Sequence, residues 1–156
     1  MKIVGPDHYR MVLDARSYKV RSPSGVPHFG GRATARGPKL YVVSSNGVPI
    51  YVGITTQPMS ARLRYGWTAR GKGGYYGYAW RHQITEADLD IWYHLDPPDE
   101  KPMLEMETVE AEVVFLIRQA GQWPQYQTEV HFHASTEQHR RIAREVAQRC
   151  GVARSV

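Results

Sequence analysis

Hydrophobic positions fall along this chain in several distinct periods, and each period predicts a different element. The N-terminal stretch mixes apolar and basic residues, and Met11-Val12-Leu13 with Tyr18 and Val20 predicts a short strand or helix. From Ser22 to Lys39 the pattern breaks at Pro23, Gly25, Pro27, Gly30, Gly31, Gly37 and Pro38, so this segment is a loop or arm. Leu40-Tyr41-Val42-Val43 and Pro49-Ile50-Tyr51-Val52 are β-rich runs on either side of Ser44-Ser45-Asn46-Gly47, which predicts a hairpin turning on Asn-Gly. Pro58 suits a first helical turn, and Met59, Leu63 and Trp67 then mark one face of a short helix. The glycines from Gly66 to Gly77 interrupt regular structure before a short segment around Tyr78 to His82. Leu89, Ile91, Tyr93 and Leu95 alternate onto one face of a third strand, Asp88 to Leu95, expected to pair with the hairpin.

After Pro97-Pro98, the apolar spacing of Val109, Val113, Leu116 and Ile117 predicts the main helix from Leu104 to Arg118, stopped by Gly121. Tyr126 to Phe132 predicts an additional edge strand. Ser135-Thr136-Glu137-Gln138 has the form of a capping box before a last amphipathic helix carrying Ile142 and Val146 with Arg140, Arg141 and Arg144. Together these make an α/β fold, a small mixed sheet containing the Leu40 to Val52 hairpin and packed by helices, with an N-terminal arm and a C-terminal helix. The expected division is 1–38 as N-terminal extension and basic loop, 39–133 as the central domain, and 134–156 as a helix packed on that domain.

Length changes this picture little: 156 residues with 42% hydrophobic composition suit one domain with a real core. The longest apolar run, Val113 to Ile117, is far short of the ~20 residues of a membrane span, and the first residues lack a signal-like pattern. A soluble, cytoplasmic chain without a membrane partner is therefore expected. Cys150 has no second cysteine to pair with, which suits a reducing compartment and excludes a cysteine-rich zinc site.

Charge changes the picture more. Between Ala15 and Gln83 there is no Asp or Glu, while eleven Lys and Arg residues lie in that interval, Lys39 among them. From Glu86 to Glu112 ten carboxylates stand against Lys101 alone. Such segregation points to a basic half that meets a polyanion, and tyrosines and glycines interleave with the cations from Tyr65 to Trp80. A solvated face with an uneven charge pattern is the alternative. The candidate nucleic-acid contacts are Arg32 and Arg36 on the arm, Arg64, Arg70, Lys72 and Tyr76 around the glycine-rich stretch, and Gln127. Two other patterns carry less. His131-Phe132-His133 places two imidazoles on one strand face with no third ligand nearby, and Gly71 to Gly77 with Lys72 lacks the Gly-Lys-Ser/Thr ending of a phosphate loop.

One ordered set of residues is more specific. Lys39-Leu40-Tyr41 and Tyr51-Val52-Gly53 lie on the two arms of one hairpin, Arg62-Leu63 follows on a helix, and Glu112-Val113-Val114-Phe115-Leu116 lies on the next long helix. Pro124-Gln125-Tyr126-Gln127 comes last. This set resembles the GIY-YIG nuclease family, with Gln127 where the family has asparagine and Gly66 where many members have a histidine. Tyr65, Tyr76 or His82 are then the candidates for that histidine's assisting role.

The resemblance implies a metal-dependent endonuclease that hydrolyses DNA phosphodiester bonds with Mg²⁺ or Mn²⁺. It implies Tyr41 as general base with its pKa brought down by nearby cations, Tyr51 as the hydroxyl that orients water, and Arg62 as phosphate clamp. It also implies Glu112 as metal ligand, chosen over Glu110, Glu107 and Glu105 because Phe115-Leu116 follow it by three and four residues. DNA is the expected partner, with RNA the alternative, and the chain acts as monomer or homodimer. A module of the same fold that binds nucleic acid without cleaving it is the competing reading.

Overall fold

Two β-rich runs fold back on each other at Asn46-Gly47, both of which have positive φ (52° and 76°), as a two-residue hairpin turn requires. The arms are β3 (Lys39–Ser45) and β4 (Val48–Thr55). The computed structural model describes residues 1–122, 126 and 133–152. The third strand, β5 (Glu86–His94), pairs with β3 as the alternation predicts, with Tyr41 opposite Ile91.

The N-terminal stretch is more regular than its pattern suggests. It forms β1 (Ile3–Leu13) and β2 (Tyr18–Arg21), and β1 lies inside the sheet, between β2 and β5. Gly5 and Pro6 hid the strand, since a proline removes one ladder donor. The chain accommodates them with a register shift between Val4 and Asp7. The sheet order is β2-β1-β5-β3-β4, and every described pairing is antiparallel. The mixed sheet is thus corrected: β4 and β5 run the same way, but β3 lies between them, so the long connection between them creates no parallel pair.

Alternation along β3 divides the molecule into two cores. Tyr41 and Val43 face a core that is rich in aromatics, together with Met59, Leu63 and Trp67 of α1 (Met59–Thr68). Leu40 and Val42 face the other, with Val109, Val113 and Ile117 of α2 (Leu104–Gln119) and Ile142, Ala143 and Val146 of α3 (Glu137–Arg149). Each large apolar side chain removed from water in these layers contributes about 1.5–3 kcal/mol, an upper estimate. Gly121, at φ 78°, ends α2 by donating to the Arg118 carbonyl. The cap of α3 lies one residue later than its sequence form suggests, with Thr136 as N-cap and the His139 side chain completing the box.

On the outer edge of β4, the Tyr126 amide donates to the Ile50 carbonyl at 3.0 Å. The remainder of the expected Tyr126 to Phe132 strand, including Gln127 and His131, lies outside the described residues. Among the described residues, no helix is long and apolar enough to cross a membrane.

Candidate functional site

The strand period brings Tyr41 and Tyr51 to the same face of the hairpin, with ring centroids 5.9 Å apart. Gly53, opposite Tyr41 in the ladder, makes this possible: a Cβ there would come within 2.5 Å of the Tyr41 ring. The glycine of the Tyr51-Val52-Gly53 triplet is therefore a seat for the other tyrosine. Arg62 stands in the first turns of α1, on the helix that covers this face, and its amide donates to the Pro58 carbonyl.

Two further tyrosines enter from the glycine-rich stretch. Gly66 is buried in α1, and a Cβ there would come within 2.0 Å of the Tyr78 ring. The absence of a side chain at Gly66 thus lets Tyr78 lie against the helix. The Tyr78 amide donates to the Gly66 carbonyl, and Arg81 Nη1 donates to the carbonyls of Gly66, Tyr76 and Tyr78. Arg81 is consequently buried and holds the loop in place. Tyr78 Oη lies 2.8 Å from Tyr41 Oη, a buried hydrogen bond in which either can donate.

Arg62 sits at the centre of this group. Its guanidinium carbon lies 4.8 Å from the Tyr78 ring centroid, 5.6 Å from Tyr75 and 5.8 Å from Tyr65, and Nη1 donates to Tyr75 Oη at 3.0 Å. No carboxylate among the described residues forms an ion pair with it. Burial works against its charge, but the phenol oxygens of Tyr41, Tyr78, Tyr75 and Tyr51 outweigh burial and hold its pKa above the ordinary arginine value. The cluster is a fixed positive charge, partly dehydrated, ringed by aromatic faces and hydroxyls.

The tyrosines respond in the opposite sense to the one expected. Tyr41 is fully buried, and burial first, then Tyr78, push its pKa well above the ordinary phenol value, against the smaller pull of Arg62. Burial likewise raises Tyr51 and Tyr78. Lowering of the Tyr41 pKa by cations is thereby corrected: one guanidinium does not repay removal of a phenolate from water. Tyr51 is half-buried, less enclosed as a residue than Tyr41.

Glu112 is not brought to this group. It lies on α2, across the sheet from Tyr41, and with Glu105 it acts electrostatically on His139 of α3. The apolar pair that borrowed its register also differs. Phe115 is 52% exposed and Leu116 only half-buried, whereas Val113 and Val114, three and four residues after Glu110, are buried. At ~3.6 residues per turn, Glu110 lies about 200° around α2 from Glu112, on the side turned away from His139. Among the described residues no three His, Cys, Asp or Glu side chains are arranged to hold a metal ion. Glu112 as placed does not fit the Mg²⁺ or Mn²⁺ that the resemblance implies. His133 lies 2.7 Å from Glu107, on the α2 side of the sheet.

The cations separate into two kinds. Lys39 is buried and donates to the carbonyls of Ala35, Gly37 and Gln57, and burial lowers its pKa to about 8. It ties a loop and offers nothing to a ligand. Arg32, Arg36, Arg64, Arg70 and Lys72 are exposed, and Tyr76 is 71% exposed. Arg64 also lines an open groove of about 900 Å³ on the β2 side of α1, with Lys19, Arg21, Tyr18 and Phe29. Arg140 and Arg144 on α3 share Glu137, and Arg141 lies 3.9 Å from Glu145.

Tyr75 and Tyr78 were missing from the sequence-based site. The signal for them was Gly66, a glycine in a helix interior, where a missing side chain needs a reason such as a close neighbour. Of the three proposed substitutes for the family's histidine, Tyr65 reaches Arg62, while Tyr76 and His82 are exposed outside the cluster. Comparison of the chain with protein-family models, with curated proteins and with solved structures gives no match.

Proposed function

We propose that this chain is an endonuclease of the GIY-YIG type that hydrolyses phosphodiester bonds of DNA at the Tyr41, Tyr51 and Arg62 cluster. The observation that carries the reading is the convergence of these three residues, separated in sequence, around a guanidinium with no carboxylate partner among the described residues. A half-buried guanidinium with no carboxylate partner among the described residues, ringed by aromatic side chains, suits an anion, and its flat fork suits the non-bridging oxygens of a phosphate. Charge that develops on the phosphorus in the transition state strengthens that contact, which is how a preorganised donor accelerates hydrolysis.

The phenols supply the second part. Tyr51 is placed to orient the attacking water by accepting or donating one hydrogen bond. Tyr41 and Tyr78 hold its surroundings rigid through the hydrogen bond between them.

The complete burial of Tyr41 favours a second reading, a module that binds nucleic acid without cutting it. One assay separates the two. Supercoiled plasmid and circular single strands are incubated with the protein in Mg²⁺, Mn²⁺ or EDTA. Cleavage by the wild type that falls roughly 10²–10³-fold in Arg62→Ala, with binding largely kept, supports the endonuclease. Binding without any cleavage leaves the module.

A further inference from the structure

We infer that the site takes an unpaired nucleotide, with its base stacked on Tyr65 and a flanking base within reach of the exposed Tyr76, next to Tyr75 in the chain, so that the substrate is single-stranded or locally opened DNA. This rests on the endonuclease reading for the position of the cut, but not for binding.

Three observations carry it. Tyr65 and Tyr75 are stacked, with centroids 4.9 Å apart and planes 15° apart, and Tyr65 is 53% exposed. An aromatic pair with one outer face in water is a stacking platform that a base can extend by one layer. Tyr76 is 71% exposed, yet its ring lies across Gly71, where a Cβ would come within 2.6 Å; the ring is held outward. The third observation is the position of Arg62 beneath these rings. Tyr65 and Tyr75 are the outer members of its ring of aromatics, and Tyr41 and Tyr78 the buried ones. A phosphate that reaches the guanidinium past Tyr65 and Tyr75 descends between aromatic rings. Duplex DNA keeps its bases stacked inside and its backbone on a stiff cylinder, and it cannot follow that path. A splayed strand can, with its phosphate on Arg62 and its base on Tyr65.

The flanking charge agrees. Arg64, Arg70 and Lys72 are exposed around the platform, and no carboxylate occurs from Ala15 to Gln83. Such a combination of cations and aromatic faces binds single strands with little sequence preference, because every base has a π face.

The test is fluorescence anisotropy in EDTA with a fluorescein-labelled DNA oligonucleotide of about 20 nucleotides, as a single strand and as a blunt duplex of the same sequence. The wild type is expected to bind the single strand roughly tenfold or more tighter. Tyr65→Ala and Tyr76→Ala should each lose roughly fivefold or more of single-strand affinity, with duplex affinity and thermal melting unchanged, whereas Tyr65→Phe should keep it. Duplex binding as tight as single-strand binding overturns the inference, as does a Tyr65→Ala variant with wild-type affinity for the single strand. Preference for the single strand without cleavage of either substrate would remove the endonuclease and keep the platform; cleavage with duplex preference would do the reverse.

Discussion

Arginine 62 and the phenols around it pull on each other's protons in opposite directions, and this has a measurable consequence. Burial raises the pKa of Tyr41 and Tyr51 above the ordinary phenol value, so both are protonated at neutral pH. If a phenolate is the base, its fraction grows about tenfold per pH unit while the pH stays below that raised value. The cleavage rate should therefore rise with a slope near one on a logarithmic plot through about pH 10, with no plateau near neutrality. A pH profile under single-turnover conditions checks this, and a plateau at pH 7 to 8 would assign the base to another group. The two glycines that seat these rings, Gly53 and Gly66, act at the same scale. Neither is required by a turn or a positive φ; each is required by the ring lying across it.

At the scale of elements, the packing of α2 separates Glu112 from Tyr41. Glu112→Gln should change cleavage by no more than a few fold, since its neighbours are Glu105, His139 and α3. Glu110→Gln should be equally mild, because α2 packs across the sheet from Tyr41. Metal titrations of the two variants decide it, and loss of cleavage in Glu112→Gln alone restores the register read from Phe115-Leu116. This helix shows what was and was not legible in the sequence. Its existence, its ends near Leu104 and Gly121 and its inward stripe were readable from a 3.6-residue period. That the helix packs on the sheet face opposite Tyr41 was not, because that depends on long-range packing and not on the helix's own period. The hairpin, α1 and β5 were legible for the same periodic reason. The strand β1 was not, because Gly5-Pro6 interrupts its local pattern and its place is set by pairing with β5, far away in sequence. Tyr75 and Tyr78 escaped notice because loops obey no period.

For the whole molecule, the uneven distribution of charge survives folding. Arg10 is paired with Glu86 and Asp88, and Arg140 and Arg144 share Glu137, whereas Arg32, Arg36, Arg64, Arg70 and Lys72 remain exposed and outside these pairs. If about four of the latter neutralise phosphates, DNA affinity should fall roughly 10²-fold between about 50 and 200 mM salt. Anisotropy titrations across that range check it, and an affinity independent of salt would detach the basic half from binding. The sheet that divides the interior has a genetic counterpart. Leu40, Val42 and Trp92 join α2 and α3 in an aliphatic layer, while Tyr41, Tyr78 and Trp80 share theirs with Arg62. In a random mutagenesis screen, heat-sensitive alleles that are active when cool should collect at the first set of positions. Alleles dead at every temperature, yet making normal amounts of protein, should collect at Arg62 and Tyr51, which are only half-buried.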